Sequence, residues 1–282
     1  MSHLIRTAEP TLRQPVLVAA FEGWNDAGEA ATFAARFLSE RWDAKPFATI
    51  DPEEFFDFTS TRPLVQLDDD DQREIVWPTT TVSAASVPDA DLDLIFVVGS
   101  EPQLKWRTFC SEIVEVAHEH GTRLVVTLGA LLAEVPHSRP VSIVGTAYDP
   151  ALVRRLGLTQ SAYQGPTGIV GVLHDAFRQA GVPSASLWAA VPSYVPSAPS
   201  PKAALALVER ITELLSVPVA TTDLEIASAS YERQIDSLIE DDDDTAAYVA
   251  RLEQAADDMP DEDAHGDLIA EVERFLRENP GT

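Results

Sequence analysis

The sequence has a single cysteine, Cys110, in 282 residues. That excludes an intrachain disulfide and suits a reducing cytoplasm. It has no apolar run long enough to cross a bilayer. Its opening, MSHLIRTAEP, contains no apolar h-region, so no signal peptide is expected. Cations are scarce: 20 Lys and Arg stand against 46 Asp and Glu, a formal net charge of −26. Such a chain repels nucleic-acid phosphates and anionic membrane surfaces alike, so neither is an expected partner. The histidines offer no pair at the three- or four-residue spacing of a helical metal site. His118 and His120 lie two apart and face nearly opposite sides of a helix. With one cysteine besides, no metal is expected. A phosphate loop is missing too. Gly165 to Gly171 reads G-x-x-G-x-x-G, which is not the dinucleotide fingerprint and suits close helix packing, so no cofactor is expected. The run Asp68 to Asp71 lacks the spaced ligands and glycine of a calcium loop and reads as a solvated turn.

What is present is a core. Hydrophobic residues make up 45% of the chain, and strand and helix patterns alternate from Pro15 to Leu215. The stretch Pro15 to Glu40 sets the scheme. Val16 to Ala20 is an uncharged run that reads as a strand buried on both faces. From Ala27 the period becomes helical, with Ala30, Phe33, Ala34, Phe37 and Leu38 on one stripe. Asn25 or Asp26 can cap that helix, and Glu29 stands three residues after Asp26, as in a capping box. Carboxylates crowding this helix start are expected to be held ionised by the helix dipole. Trp24 beside them either fills the core or anchors a partner.

Further strands are expected at Pro46 to Ile50, Leu92 to Val98, Arg123 to Leu128, Ser142 to Ala147 and Ser186 to Val191. Between Asp51 and Val87 short β-prone pieces suggest an antiparallel excursion. Helices are expected at Gln103 to His120, stopped by Gly121, from Asp149 to Gly157, at Gly168 to Ala180 with Thr167 as its cap, and at Lys202 to Leu215. Gly129 to Val135 reads as a helical turn. Met1 to Gln14 reads as a polar arm. Cys110 shares a helical face with Trp106, Phe109, Ile113 and Ala117, so it reads as a buried small hydrophobe.

Pro218 marks a boundary. Residues 1–218 read as an α/β core domain and 219–282 as an acidic helical segment, with 19 acidic and 4 basic residues, a net −15. This segment predicts helices over Thr221 to Ile239 and Thr245 to Ala256, a loop over Asp257 to Gly266 and a last helix over Asp267 to Arg277.

Motifs for chemistry are sparse. Gly99-Ser100 sits between strand and helix, where a nucleophile elbow would sit, but Glu101 and Pro102 break the G-x-S-x-G pattern. Ser100 reads instead as a helix cap. His137, in Pro136-His137-Ser138-Arg139-Pro140, is a loop histidine at the end of an α/β unit. It either hydrogen-bonds its loop or serves as a general base, and the first reading is favoured because spacing identifies no partner carboxylate.

Four segments carry a resemblance: FEGWNDAGEAAT from Phe21, VGSEPQLKWRTFC from Val98 to Cys110, LLAEVPHSRPV from Leu131 to Val141, and YQGPTGIVGVLHDAF from Tyr163 to Phe177. In that order they are similar to segments of the proteasome assembly chaperone 2 family, in its actinobacterial branch, and the likeness spans about Pro15 to Pro218. The alternation of elements predicts a three-layer α/β/α fold with a mostly parallel central sheet and a small C-terminal helical appendage. The resemblance agrees, implying a phosphorylase/hydrolase-like fold. It marks Glu22, Trp24, Asn25, Asp26, Ser100, His137, Arg139, Gln164 and Thr167 as candidate motif or interaction residues. It also implies a non-catalytic, assembly-chaperone-like protein with protein partners, among them proteasome subunits, and a homo-oligomer such as a trimer. Some archaeal and eukaryotic members dock through a C-terminal hydrophobic-Tyr-any motif, which Arg277 to Thr282 does not match. The alternative, by fold analogy, is a small-molecule hydrolase or phosphorylase-like enzyme using a strand-end crevice near Glu22, Asn25, Ser100 and His137.

Overall fold

In the computed structural model, residues 2–68, 71–88, 90–160, 164–240 and 242–258 are described. Asp69, Asp70, His265 and the expected loop and helix beyond 258 lie outside them. The strands are β1 (Leu4–Arg6), β2 (Val16–Glu22), β3 (Lys45–Ile50), β4 (Leu64–Leu67), β5 (Arg73–Val76), β6 (Thr80–Ser86), β7 (Asp93–Ser100), β8 (Leu124–Ala133), β9 (Ile143–Ala147), β10 (Thr159–Gln160) and β11 (Ser184–Pro192). The helices are α1 (Ala30–Arg41), α2 (Trp106–Glu119), α3 (Pro150–Leu156), α4 (Ile169–Gln179), α5 (Pro201–Leu215), α6 (Thr222–Glu240) and α7 (Asp243–Asp258).

Nine strands form one sheet in the order β1-β3-β6-β7-β2-β8-β11-β9-β10. Its centre, β7-β2-β8-β11, is parallel. Its flanks are mostly not: β6 runs antiparallel to β7, β3 to β6, β1 to β3, and β9 to β11, while the short β10 pairs parallel with β9. The expected mostly parallel sheet is therefore a mixed one. The β3–β6–β7 side is built from directly paired neighbours without crossover helices, and β9 enters beside β11 reversed. The polar arm also contributes more than expected, since Leu4 is buried and β1 forms the sheet edge.

Helices cover both sides of the sheet. Along β2 the side chains alternate between two cores. Val16, Val18 and Ala20 face α1 and α5, while Leu17, Ala19 and Phe21 face α2 and α4. An uncharged run was needed here because every residue from Val16 to Phe21 is fully buried.

Three element expectations are corrected. Gly129 to Ala133 continues β8 as strand, because Gly129 lies under the Trp188 ring: a Cβ there would come within 2.6 Å of it. The helix after β7 begins at Trp106, with Lys105 at its cap position, so Ser100 is not a cap. Gly168, not Thr167, precedes α4, and no Thr167 side-chain bond caps it. Between β3 and β6, β4 and β5 form a separate antiparallel ribbon that exposes Leu64, Val65, Leu67 and Ile75.

Candidate functional site

Glu22 and Ser100 are the last residues of β2 and β7 and face each other in register. The helix that follows β2 packs in one core and the helix that follows β7 in the other. Chains that diverge to opposite faces leave a crevice at the carboxyl ends of the strands, the common ligand position in open α/β sheets. Two open clefts meet there. One of about 670 Å³ is lined by Trp24, Glu101, Gln103, Trp106, Thr167 and neighbours. The other, of about 380 Å³, lies toward Arg36, Ser39, Thr79 and Ser83. Glu22 and Ser100 line both.

The carboxylates are tied down. Glu22 accepts from the Ser100 hydroxyl at 2.7 Å and from Arg36 one helix face away. Burial works to raise its pKa, but the Arg36 and Ser100 bonds outweigh it and hold the carboxyl below its ordinary value. Arg36 is a neighbouring cation that the sequence reading overlooked.

Glu101 accepts from Asn25 Nδ2 at 3.1 Å and from the backbone N–H of Ile169 at 2.7 Å. It thus serves as the N-terminal acceptor of α4. Its burial raises its pKa, against those bonds. Asn25 and the turn close on Gly168, where a Cβ would stand 2.7 Å from Asn25 Nδ2 and 2.8 Å from the Trp24 ring. Glycine is required there for close approach rather than for its dihedrals.

Asp26 caps α1, but not in the register expected. A 3₁₀ turn at Ala27–Glu29 intervenes, and the carboxylate accepts from the N–H groups of Ala31 (2.7 Å) and Thr32 (3.2 Å) and from the Thr32 hydroxyl. Glu29 adopts a left-handed backbone and makes no side-chain cap bond, so there is no capping box. Burial raises the pKa of Asp26 despite these bonds. Desolvation, not the helix dipole, decides the direction for Asp26 and Glu101.

His137 and Arg139 belong to a second cluster, where the C-terminal helices meet the ends of β8 and β11. His137 is buried, with Nδ1 2.8 Å from the Tyr194 hydroxyl and Nε2 2.9 Å from Asp236 of α6. Arg139 donates to both carboxylate oxygens of Asp257 at 2.7 and 2.8 Å. The expected crevice of Glu22, Asn25, Ser100 and His137 is therefore two places. The structure brings Glu22, Trp24, Asn25, Asp26, Ser100 and Thr167 together and leaves Gln164 exposed. Sequence reasoning missed Glu101, Arg36 and Trp106 in the first cluster, and Tyr194 and Asp236 in the second. A charged residue directly after a buried strand was the available signal for Glu101.

Among the described residues no group of three or more His, Cys, Asp and Glu is placed to hold a metal, and no helix is long and apolar enough to cross a membrane.

The fold and site define an α/β protein whose strand-end carboxylates serve as fixed acceptors joining turn, sheet and helix. The sequence profile of the PAC2 family matches residues 20–239, and the chain belongs to that family. It is similar to a PAC2 family protein of Streptomyces avermitilis, with 46% identity and a TM-score of 0.77 over 83% of this chain and 99% of that one. It is similar to a Mycobacterium tuberculosis proteasome-assembly chaperone homologue, with 44% identity and a TM-score of 0.75 over the same shares. A second M. tuberculosis protein, of unknown function, is 28% identical with a TM-score of 0.86, covering 99% of this chain and 97% of that one. No curated protein matches the chain.

Proposed function

We propose that this protein is a non-catalytic, assembly-chaperone-like interaction protein whose partners include proteasome subunits. The observation that carries this reading is the 44% identity, across nearly the whole of that relative, to a protein described as a proteasome-assembly chaperone homologue. The site agrees in chemistry. The carboxylates of Glu22, Asp26 and Glu101 accept hydrogen bonds from the protein itself, which suits holding a shape more than transferring protons. Trp24 and Trp106 on the wall of the larger cleft are the residue type that anchors protein partners.

In this reading the chain works in the cytoplasm as a homo-oligomer, a trimer being the form expected. Residues 1–218 are the folding unit, a three-layer phosphorylase/hydrolase-like core, and the acidic helices are its appendage. The test is to mix the purified chain with isolated proteasome α subunits and β subunits and follow complex formation by size-exclusion chromatography with light scattering. Co-migration with an incomplete subunit assembly, weakened by Trp24→Ala or Trp106→Ala, is expected. No complex with either subunit type overturns the proteasome link, and turnover of phosphoesters, nucleosides or acyl esters lost in Glu22→Gln overturns the non-catalytic reading.

A further inference from the structure

The acidic C-terminal helices do not lie idle on this acidic protein. They dock on a surface that carries Arg139 and Lys202, built from the Pro136–Pro140 loop and the start of α5. Each helix reads that surface with two carboxylates four residues apart, the spacing that stacks side chains on one helical face. From α6, Glu232 pairs with Lys202 and Asp236 with His137. From α7, Glu253 meets the Ser138 hydroxyl and Arg139, and Asp257 takes the bidentate Arg139 fork. Lys202 also donates to the carbonyl of His137 and so fixes the loop.

The two helices are held differently. α6 buries Leu224, Tyr231 and Ile235, whereas Val249 is the one buried residue of α7. The Arg139–Asp257 pair stands in water, its side chains 35% and 57% exposed. Ion pairs exposed to this extent add little to stability. α7 therefore sits on the surface through the buried Val249, the edge-on contact of Tyr248 with Tyr194 and these polar contacts, and the polar contacts are ones another carboxylate pair can replace. Beneath it is a cavity of about 70 Å³ with Ala256 of α7, Tyr231, His137 and Lys202 on its wall.

We propose that Ser138 and Arg139 form an exchangeable docking site for an acidic helix of a partner protein, which α7 fills in cis in this structure. The complementarity is that of the α7 contacts: a helix with Glu or Asp at i and i+4 satisfies the Ser138 hydroxyl and the Arg139 fork. A second copy of this chain is the poorer fit. Two residues separate α6 from α7, which leaves no slack for α7 to reach another molecule while α6 stays anchored. This inference stands apart from the proteasome link and from the Trp-lined cleft.

The test uses the full chain and a fluorescently labelled peptide with the sequence of residues 243–258 as the acidic helix. In the wild type, tethered α7 competes at an effective concentration of order millimolar. The double variant Glu253→Gln/Asp257→Asn is expected to release α7, seen as lost amide protection, and to bind the peptide at least ~10-fold more tightly than wild type by anisotropy at low salt. Adding Arg139→Gln is expected to reverse that gain, and high salt to weaken it. Equal binding by wild type and double variant, binding indifferent to Arg139→Gln, no binding to a double variant with α7 released, or α7 still fully protected in that variant each overturns the proposal. A mass of the double variant above that of wild type in light scattering, without peptide, assigns the site to a second copy and overturns the partner-protein occupant.

Discussion

The Glu101 carboxylate accepts a hydrogen bond from the backbone N–H of Ile169 at 2.7 Å, so the residue that follows β7 caps a helix 68 residues further along. The same oxygen holds Asn25. The turn after β7, the turn after β2 and helix α4 thus meet at one atom.

Glu101→Ala should therefore destabilise by about 1–3 kcal/mol, since it leaves a partly buried N–H and an amide without their acceptor. Glu101→Gln keeps an acceptor and should cost less. The pH dependence has a definite sign. The folded pKa is raised, so the contribution of Glu101 is fully present below the ordinary carboxylate value and is lost as pH rises through the folded one. The Gln variant should compare better with wild type at neutral pH than near pH 4, measured as melting temperature at both.

Asp26→Ala removes the acceptor for the Ala31 and Thr32 amides and the Thr32 hydroxyl. A loss of about 0.5–2 kcal/mol is expected, in the range of a deleted cap. Urea unfolding checks it. A change in the m-value rather than the midpoint would instead point to a looser native state.

His174 is buried between Thr127 and Ser184, with its ring nitrogens 2.9 and 2.8 Å from their hydroxyls. Burial pushes its pKa down to about 4. The folded state disfavours the cation, so the stability that His174 contributes is present above its ordinary value of 6.5 and is lost as pH falls toward 4. NMR titration should find this ring neutral through pH 6, and melting temperature should begin to decline below that ordinary value.

Cys110 is fully buried in the α2 face of the core, and burial pushes its thiol up to about 12. A disulfide exchange reagent should leave the native protein unmodified and react with one equivalent in denaturant, because the thiolate is the nucleophile. Fast reaction without denaturant would mean that α2 opens locally.

The central strands were legible because burial on both faces leaves only apolar residues, as in Val16 to Ala20. Helix ends were legible where glycine takes a left-handed backbone, as at Gly121 and Gly157. Strand direction was not, because alternation of apolar runs does not say whether β9 runs with or against β11. Nor was the second half of β8, where Gly129 is small for a packing reason supplied by Trp188 on another strand. The site residues Glu22, Asn25 and Asp26 stood out in one turn. Their partners did not, since Glu101 is 76 residues from Asn25 and Asp236 is 99 residues from His137. Long-range pairing is chosen by the fold, and spacing in the sequence carries no trace of it.

The position of β2 at the middle of the sheet bears on how the protein is made. Glu22 meets Ser100, its register partner in the adjoining strand, 78 residues later in the chain, and the other neighbour begins only at Leu124. At a translation rate of about 5–20 residues per second, roughly 4–16 s pass before the first of these strands leaves the ribosome. Through that interval Val16 to Phe21 is an unpaired apolar segment of a nascent chain, with β-branched residues and no charge to keep it from its neighbours on a polysome. The part of the molecule most shielded once folded is thus the part most in need of shielding during synthesis.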